Sequence, residues 1–147
     1  MKIGNKVFDL NEKTLVMGIL NVTPDSFSDG GIYNTLEAAI NRAIEMKKEG
    51  ADIIDVGGES TRPGAKQISA QEELNRIMPV IEQIEKKIKI PISIDTYKSE
   101  VAKHALDSGA DMINDITALR GDKKLAEIVC GYEVPICLMH MLSLIHI

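Results

Sequence analysis

The 147-residue chain sets 17 Lys and Arg against 22 Asp and Glu, a net charge of −5, and is 44% apolar with no Trp, two Phe and three Tyr. The core therefore has to be aliphatic, and the acidic balance (pI ≈ 5.2) argues against a basic face that tracks nucleic-acid phosphates or an anionic membrane. The length suits one ordinary domain. No run approaches the ~18 apolar residues of a membrane span, and the N-terminus lacks an apolar signal-peptide core, so a cytoplasmic setting is expected.

In chain order, Lys2-Ile3, Gly4-Asn5 and Lys6-Val7-Phe8 read as a small hairpin with a two-residue turn, placed to cover one end of a core. A first buried strand is expected over 14–20. A helix follows over 35–49, capped by Asn34 with Glu37 three residues on, and stopped by Gly50. The second strand spans 51–56. The second helix starts after Ser69, with Glu72 completing a capping box, and carries Leu74, Ile77, Met78, Ile81, Ile84 and Ile88 at helical spacing. Pro79 lies inside it, which predicts a kink or short break.

The third strand is 90–95, the third helix 98–108 before Gly109, and the fourth strand 111–114. The fourth helix is 123–130 with Gly131 as its stop, and the fifth strand is 134–139. Gly50-Ala51-Asp52-Ile53-Ile54-Asp55 is echoed by Gly109-Ala110-Asp111-Met112-Ile113-Asn114. Such βα repetition predicts parallel strands with right-handed crossovers, in a barrel or a doubly wound sheet. A full (β/α)₈ barrel needs ~200–250 residues. Four βα units and a fifth strand therefore suggest a truncated TIM barrel, an N-terminal part, with 142–147 expected to be a tail foreign to it. Cys130 and Cys137 lack CxxC spacing and are each expected to be small buried hydrophobes.

Polar residues collect where the strands end: Asn21; Asp55 with Glu59, Ser60, Thr61 and Arg62 beyond it; Asp95 and Thr96; Asn114 and Asp115; His140. In a parallel array these ends share one face, the face that carries active sites. A turn or cap role is favoured for Thr96 and Asp115. A site is favoured for Asn21, Asp95 and Asn114 together. There is no G-x-S-x-G elbow, no Gly-rich phosphate fingerprint and no zinc-like His/Cys spacing, and His104 falls mid-helix as a surface residue. Carboxylates and carboxamides in an apolar setting suit a flat heterocycle with N–H and ring-nitrogen edges. Asn21 offers a neutral oxygen to a hard cation such as Mg²⁺ carrying phosphates. Loops 22–34 and 57–68 are expected to act as covers. In them Phe27 either stacks on a substrate ring or anchors the loop to the rim, and Arg62 either neutralises an anion or lies in solvent.

Asn21-Val22-Thr23-Pro24-Asp25-Ser26-Phe27-Ser28-Asp29-Gly30-Gly31 resembles the first pterin-site signature of the dihydropteroate synthase family, and residues 50–65, with Gly57-Gly58-Glu59-Ser60-Thr61-Arg62-Pro63-Gly64, resemble the second. Pro91-Ile92-Ser93-Ile94-Asp95-Thr96, the 109–115 segment and Met139-His140-Met141 resemble later strand ends, so the resemblance covers about residues 1–141. It implies a (β/α)₈ barrel that joins hydroxymethyl-dihydropterin diphosphate to 4-aminobenzoate with release of diphosphate, using small-molecule substrates and no nucleic acid or membrane. It implies that Asn21 ligates Mg²⁺ or contacts the diphosphate, and that Asp95 and Asn114 hold the pterin over Asp55. It further implies that Thr61 contacts the diphosphate, that Phe27, Ser28, Arg62 and Pro63 form the aminobenzoate site, and that Met139 lines the substrate pocket. No protein nucleophile is implied. The full-length parent is expected to be a homodimer, and this shorter chain to be inactive. The competing expectations are a pterin-binding methyltransferase domain that uses methyltetrahydrofolate, which the 25–31 and 60–64 loops disfavour, and a non-catalytic pterin-binding fragment.

Overall fold

The structure, a computed structural model, describes residues 1–23, 31–60 and 64–140, with the backbone alone for 31–35. A two-stranded antiparallel hairpin, β1 (Lys2–Ile3) and β2 (Lys6–Val7), turns on Gly4, whose φ of 55° suits the glycine. The main sheet runs β3 (Met17–Asn21), β4 (Ile53–Gly57), β5 (Ile92–Asp95), β6 (Met112–Asp115) and β7 (Ile136–Leu138), all parallel and in chain order. Between the strands lie α1 (Gly31–Glu49), α2 (Ala70–Lys87), α3 (Ser99–Asp107) and α4 (Leu125–Tyr132).

All four helices cover one face. Leu20, Ile54, Val56, Ile92, Ile94 and Ile113 alternate onto that face and form one aliphatic cluster with Ala39 and Ala43 of α1, Ile77 and Ile81 of α2, Val101 and Ala105 of α3 and Leu125 of α4. Strand order that follows chain order, with every helix on one side, is the barrel arrangement. A doubly wound sheet reverses its order and covers both faces.

The helix-stop glycines behave as the repeat predicts: Gly50 and Gly109 take φ of 108° and 103°. The chain then doubles back through Ala51 N–H to Met46 O and Ala110 N–H to Ala105 O. Ser69 caps α2, its Oγ accepting from Glu72 N–H at 3.1 Å.

Four expectations are corrected. Helix α1 begins at Gly31, so position 34 lies inside the helix rather than before its first turn; the first N–H groups of a helix are unpaired in any case, so a glycine there costs little. Helix α2 runs through Pro79 without the short break that was one of the two expected outcomes. The proline forfeits one backbone bond, but Ile77, Val80, Ile81 and Ile84 are fully buried around it and hold the helix against the sheet. Gly131 does not end α4. The helix continues to Tyr132, whose hydroxyl donates to Asp107 of α3, and Glu133 takes the left-handed turn at φ 53°. Both cysteines are exposed: Cys130 is outside the helix–sheet cluster, and Cys137 is on the face that no helix covers.

On that face, at the N-terminal ends of the strands, the hairpin closes a second small cluster of Ile3, Ile53 and Met112, flanked by Phe8, Leu15 and Met17. Ile3 is fully buried and Val7 is 80% exposed. Ile3→Ala is expected to lower unfolding free energy in urea titration by about 2–3 kcal/mol, the low end for a core truncation because a short hairpin can settle into the gap. Val7→Ala is expected to stay within about 0.5 kcal/mol.

Candidate functional site

Parallel pairing puts register partners side by side on the same face of a sheet. Following the register across the five strands, Asn21 lies beside Gly57, Gly57 beside Asp95, Asp95 beside Asn114, and Asn114 beside Cys137. This transverse row crosses the C-terminal ends of the strands on the face opposite the helices. One pleat below it run Ile19, Asp55, Ser93 and Met112.

Gly57 is the gap in the row. A Cβ there would lie 3.4 Å from Asp95 Cβ, 3.5 Å from Asp95 Oδ2 and 3.6 Å from Asn21 Oδ1. Any side chain would fill the cleft that these two oxygens border. Asn114 donates from Nδ2 to Asp55 Oδ2 at 2.9 Å, which fixes its amide and leaves its oxygen free to accept. Asp55 is buried, and burial pushes its carboxyl above the usual range, against the favourable influence of Ser93 and Asn114. The Ser93 hydroxyl is in register with Asp55, yet Asp55 Oδ1 and Ser93 Oγ are both buried with no hydrogen-bond partner among the described residues. Such atoms are costly unless a water or ligand group meets them.

Asp95 is half-buried, and its carboxylate has no hydrogen-bond donor among the described residues. Burial, then the negative charges of Asp55, Glu73, Asp115 and Glu59, raise its pKa to about 7. A carboxylate held out of water with no donor of its own is poised to take N–H groups from a ligand.

The other sequence candidates divide. Thr96 and Asp115 serve turns: Thr96 Oγ1 accepts from Lys98 N–H at 3.2 Å. Buried Asp115 accepts from Thr117 N–H at 2.7 Å and Leu119 N–H at 2.6 Å, holding Ala118 and Leu119 at positive φ. Met139 is exposed just past β7, tied by its N–H to Asp115 O, and His140 is exposed beside it. His104 is exposed on α3, as expected. Phe27, Ser28, Thr61, Arg62, Pro63 and the 141–147 tail lie outside the described residues.

Three features escape sequence reasoning: the Gly57 gap, Cys137 at the end of the row, and the buried partnership of Lys98 with Glu59 and Glu73. Only a register count through strands of known length would have found the first two. No cluster of three or more acidic, His or Cys side chains suited to a metal occurs among the described residues. Asn21 Oδ1 and Asp95 Oδ2, which border the Gly57 position, are oxygens of the hard type that suits a cation such as Mg²⁺, and they are too few to cage one.

Fold and site together define a β/α-barrel protein whose polar side chains gather at its strand ends. The family model described as pterin binding enzyme matches residues 17–145, and the chain belongs to that family. A dihydropteroate synthase from Clostridium beijerinckii is 54% identical over 140 residues, 95% of this chain and 52% of the relative. The solved dihydropteroate synthase of Clostridium difficile, determined in the presence of pteroic acid, superposes with a TM-score of 0.90 at 52% identity, over 93% of this chain and 52% of that one. The Xanthomonas albilineans enzyme with 4-aminobenzoic acid does so at 0.84 and 49% identity, over 90% and 48%. The chain spans about half the length of these relatives.

The sign of Asp95's effect on stability follows from its shift. Its folded pKa of about 7 exceeds the ordinary 3.8. Between those values the folded state keeps a proton that the unfolded chain has released, so stability falls as pH rises from about 4 to about 7. Asp95→Asn removes this loss. Its stability relative to the unaltered chain is expected to rise by about 2 kcal/mol between pH 4 and pH 8 in denaturant titrations, the full shift being discounted for partial exposure.

Proposed function

We propose that this chain forms the pterin-binding half of a dihydropteroate synthase, which condenses 6-hydroxymethyl-7,8-dihydropterin diphosphate with 4-aminobenzoate to give 7,8-dihydropteroate and diphosphate. The observation that carries the reading is the row itself: Asp95 with no donor among the described residues, beside an Asn114 whose amide is oriented by Asp55, next to the Gly57 cleft. The relatives named dihydropteroate synthase support it, as do the pteroic acid and 4-aminobenzoic acid with which the two solved neighbours were determined.

In this reading the ionised Asp95 accepts N–H groups of the pterin edge, and the Asn114 oxygen accepts a further one. Asp55 and Ser93 form the polar floor beneath. The arylamine nitrogen attacks the methylene carbon as the C–O bond breaks, its electrons leave with the diphosphate oxygen, and the surplus amine proton passes to solvent. No protein nucleophile enters. The chain's residues bind, orient and shield from water, where orientation alone lowers barriers substantially. Asn21 would supply one oxygen to Mg²⁺, which when bound neutralises charge on the leaving diphosphate. Thr61, Phe27, Ser28, Arg62 and Pro63 contribute the diphosphate and aminobenzoate contacts, and Met139 a wall of the pocket. The whole protein is read as a cytoplasmic homodimer on the family resemblance. Among the described residues no helix is long and apolar enough to cross a membrane.

Calorimetry of this chain with 6-hydroxymethyl-7,8-dihydropterin diphosphate and Mg²⁺ tests the reading. Binding is expected, with Asp95→Ala and Asn114→Ala each weakening it by at least about tenfold, the cost of one lost charged or buried hydrogen bond. A folded chain that ignores this compound, or prefers methyltetrahydrofolate, overturns it.

A further inference from the structure

Behind the row sits a buried charge cluster that the chemistry above does not use. Lys98 precedes α3, three residues beyond Asp95. Its ammonium lies between Glu59, in the β4–α2 loop, and Glu73, in the first turn of α2, 2.5 Å from Glu73 Oε2 and paired also with Glu59 Oε2. The three side chains are 15%, 11% and 1% exposed. The Tyr97 hydroxyl donates to Glu59 Oε1 at 3.3 Å and its ring lies 4.9 Å below the ammonium. Ile68 N–H donates to Glu59 Oε2 at 3.3 Å. One turn along α2, Arg76 donates to Gly58 O at 2.8 Å and pairs with Glu72.

The backbone inside this clasp has little room. A Cβ on Gly58 would fall 2.8 Å from Ile77 Cγ2 and 3.2 Å from Glu73 O. Well-packed apolar residues often replace a buried ion cluster without loss of stability, so what such a cluster adds is defined geometry. The geometry here is that of the end of β4. Gly57 borders both Asn21 and Asp95, and its carbonyl accepts from Val22 N–H at 2.7 Å. The same ammonium touches the loop that leaves β4, the helix that follows it, and, through its own backbone, the strand end that carries Asp95.

We propose that Lys98 is a positioning residue for the binding row: by clamping Glu59 and Glu73 it holds the Gly57–Gly58 backbone at the spacing that keeps the Asn21–Asp95 cleft open. That the row takes a pterin rests on the function proposed above; that Lys98 sets its geometry does not.

Two readouts on the full chain separate these claims. Amide exchange of Lys98→Met is expected to speed at least tenfold at Ile68 and Val22, which report on Glu59 and on Gly57, with Ile54 and Ile113 in the sheet unchanged. Lys98→Arg, which can span both carboxylates, is expected to restore protection. Affinity for the dihydropterin diphosphate, measured on folded protein, is expected to fall at least tenfold in Lys98→Met and to recover in Lys98→Arg. If Lys98→Met fails to fold, Glu59→Gln is expected to show the same local exchange pattern. Uniformly faster exchange at all four amides, or unchanged exchange at Ile68 and Val22, overturns the proposal. If the unaltered chain binds no pterin diphosphate, the functional reading fails while the exchange result still decides the role of Lys98.

Discussion

Register across the five parallel strands is the constraint on which the site depends. Because side chains alternate with a period of two, one slip of β4 would turn Gly57 toward the helices and aim Val56 at the cleft. The register is held from the opposite side. Leu20, Val56, Ile94 and Ile113 are almost wholly buried against the helices, so the aliphatic face admits a single alignment. The polar row is the obligatory other face of that apolar packing.

Five carboxylates gathered near one rim create an electrostatic difficulty. Asp55, Asp95 and Asp115 converge with Glu59 and Glu73, and each addition makes the next ionisation harder. The structure resolves it unevenly. Asp115 is satisfied by the turn it holds, and Asp55 takes the Asn114 amide. Glu59 and Glu73 share Lys98, although burial alone would disfavour that ammonium; its hydrogen bonds to the two carboxylates hold its pKa above the ordinary value. Asp95 is left without a partner among the described residues, and an unpaired carboxyl at a strand-end cleft is the kind of group that marks a candidate site.

Much of the fold was legible locally. The helix-stop glycines before β4 and β6, the Ser69 cap and the alternation of aliphatic strands with amphipathic helices are short-range signals, and each appears in place. Asp95 and Asn114 were legible because a polar residue that ends a buried strand has few other reasons to be there. Pro79, Gly131 and the cysteines misled because their local meanings were overridden. Burial on both sides of Pro79 outweighed one missing bond, and a tyrosine contact carried α4 past its glycine. Cys137 reads as core from composition but falls on the face that no helix covers.

Sequence by itself determined the βα rhythm, the polarity of the strand ends and the family signatures, because these reside in neighbouring residues and their periodicity. Tertiary structure alone decided that every helix covers one face, that Gly57 opens a cleft between Asn21 and Asp95, and that Lys98 joins two carboxylates 39 and 25 residues away. Those facts depend on register and on long-range pairing of charges, and neither leaves a pattern along the chain.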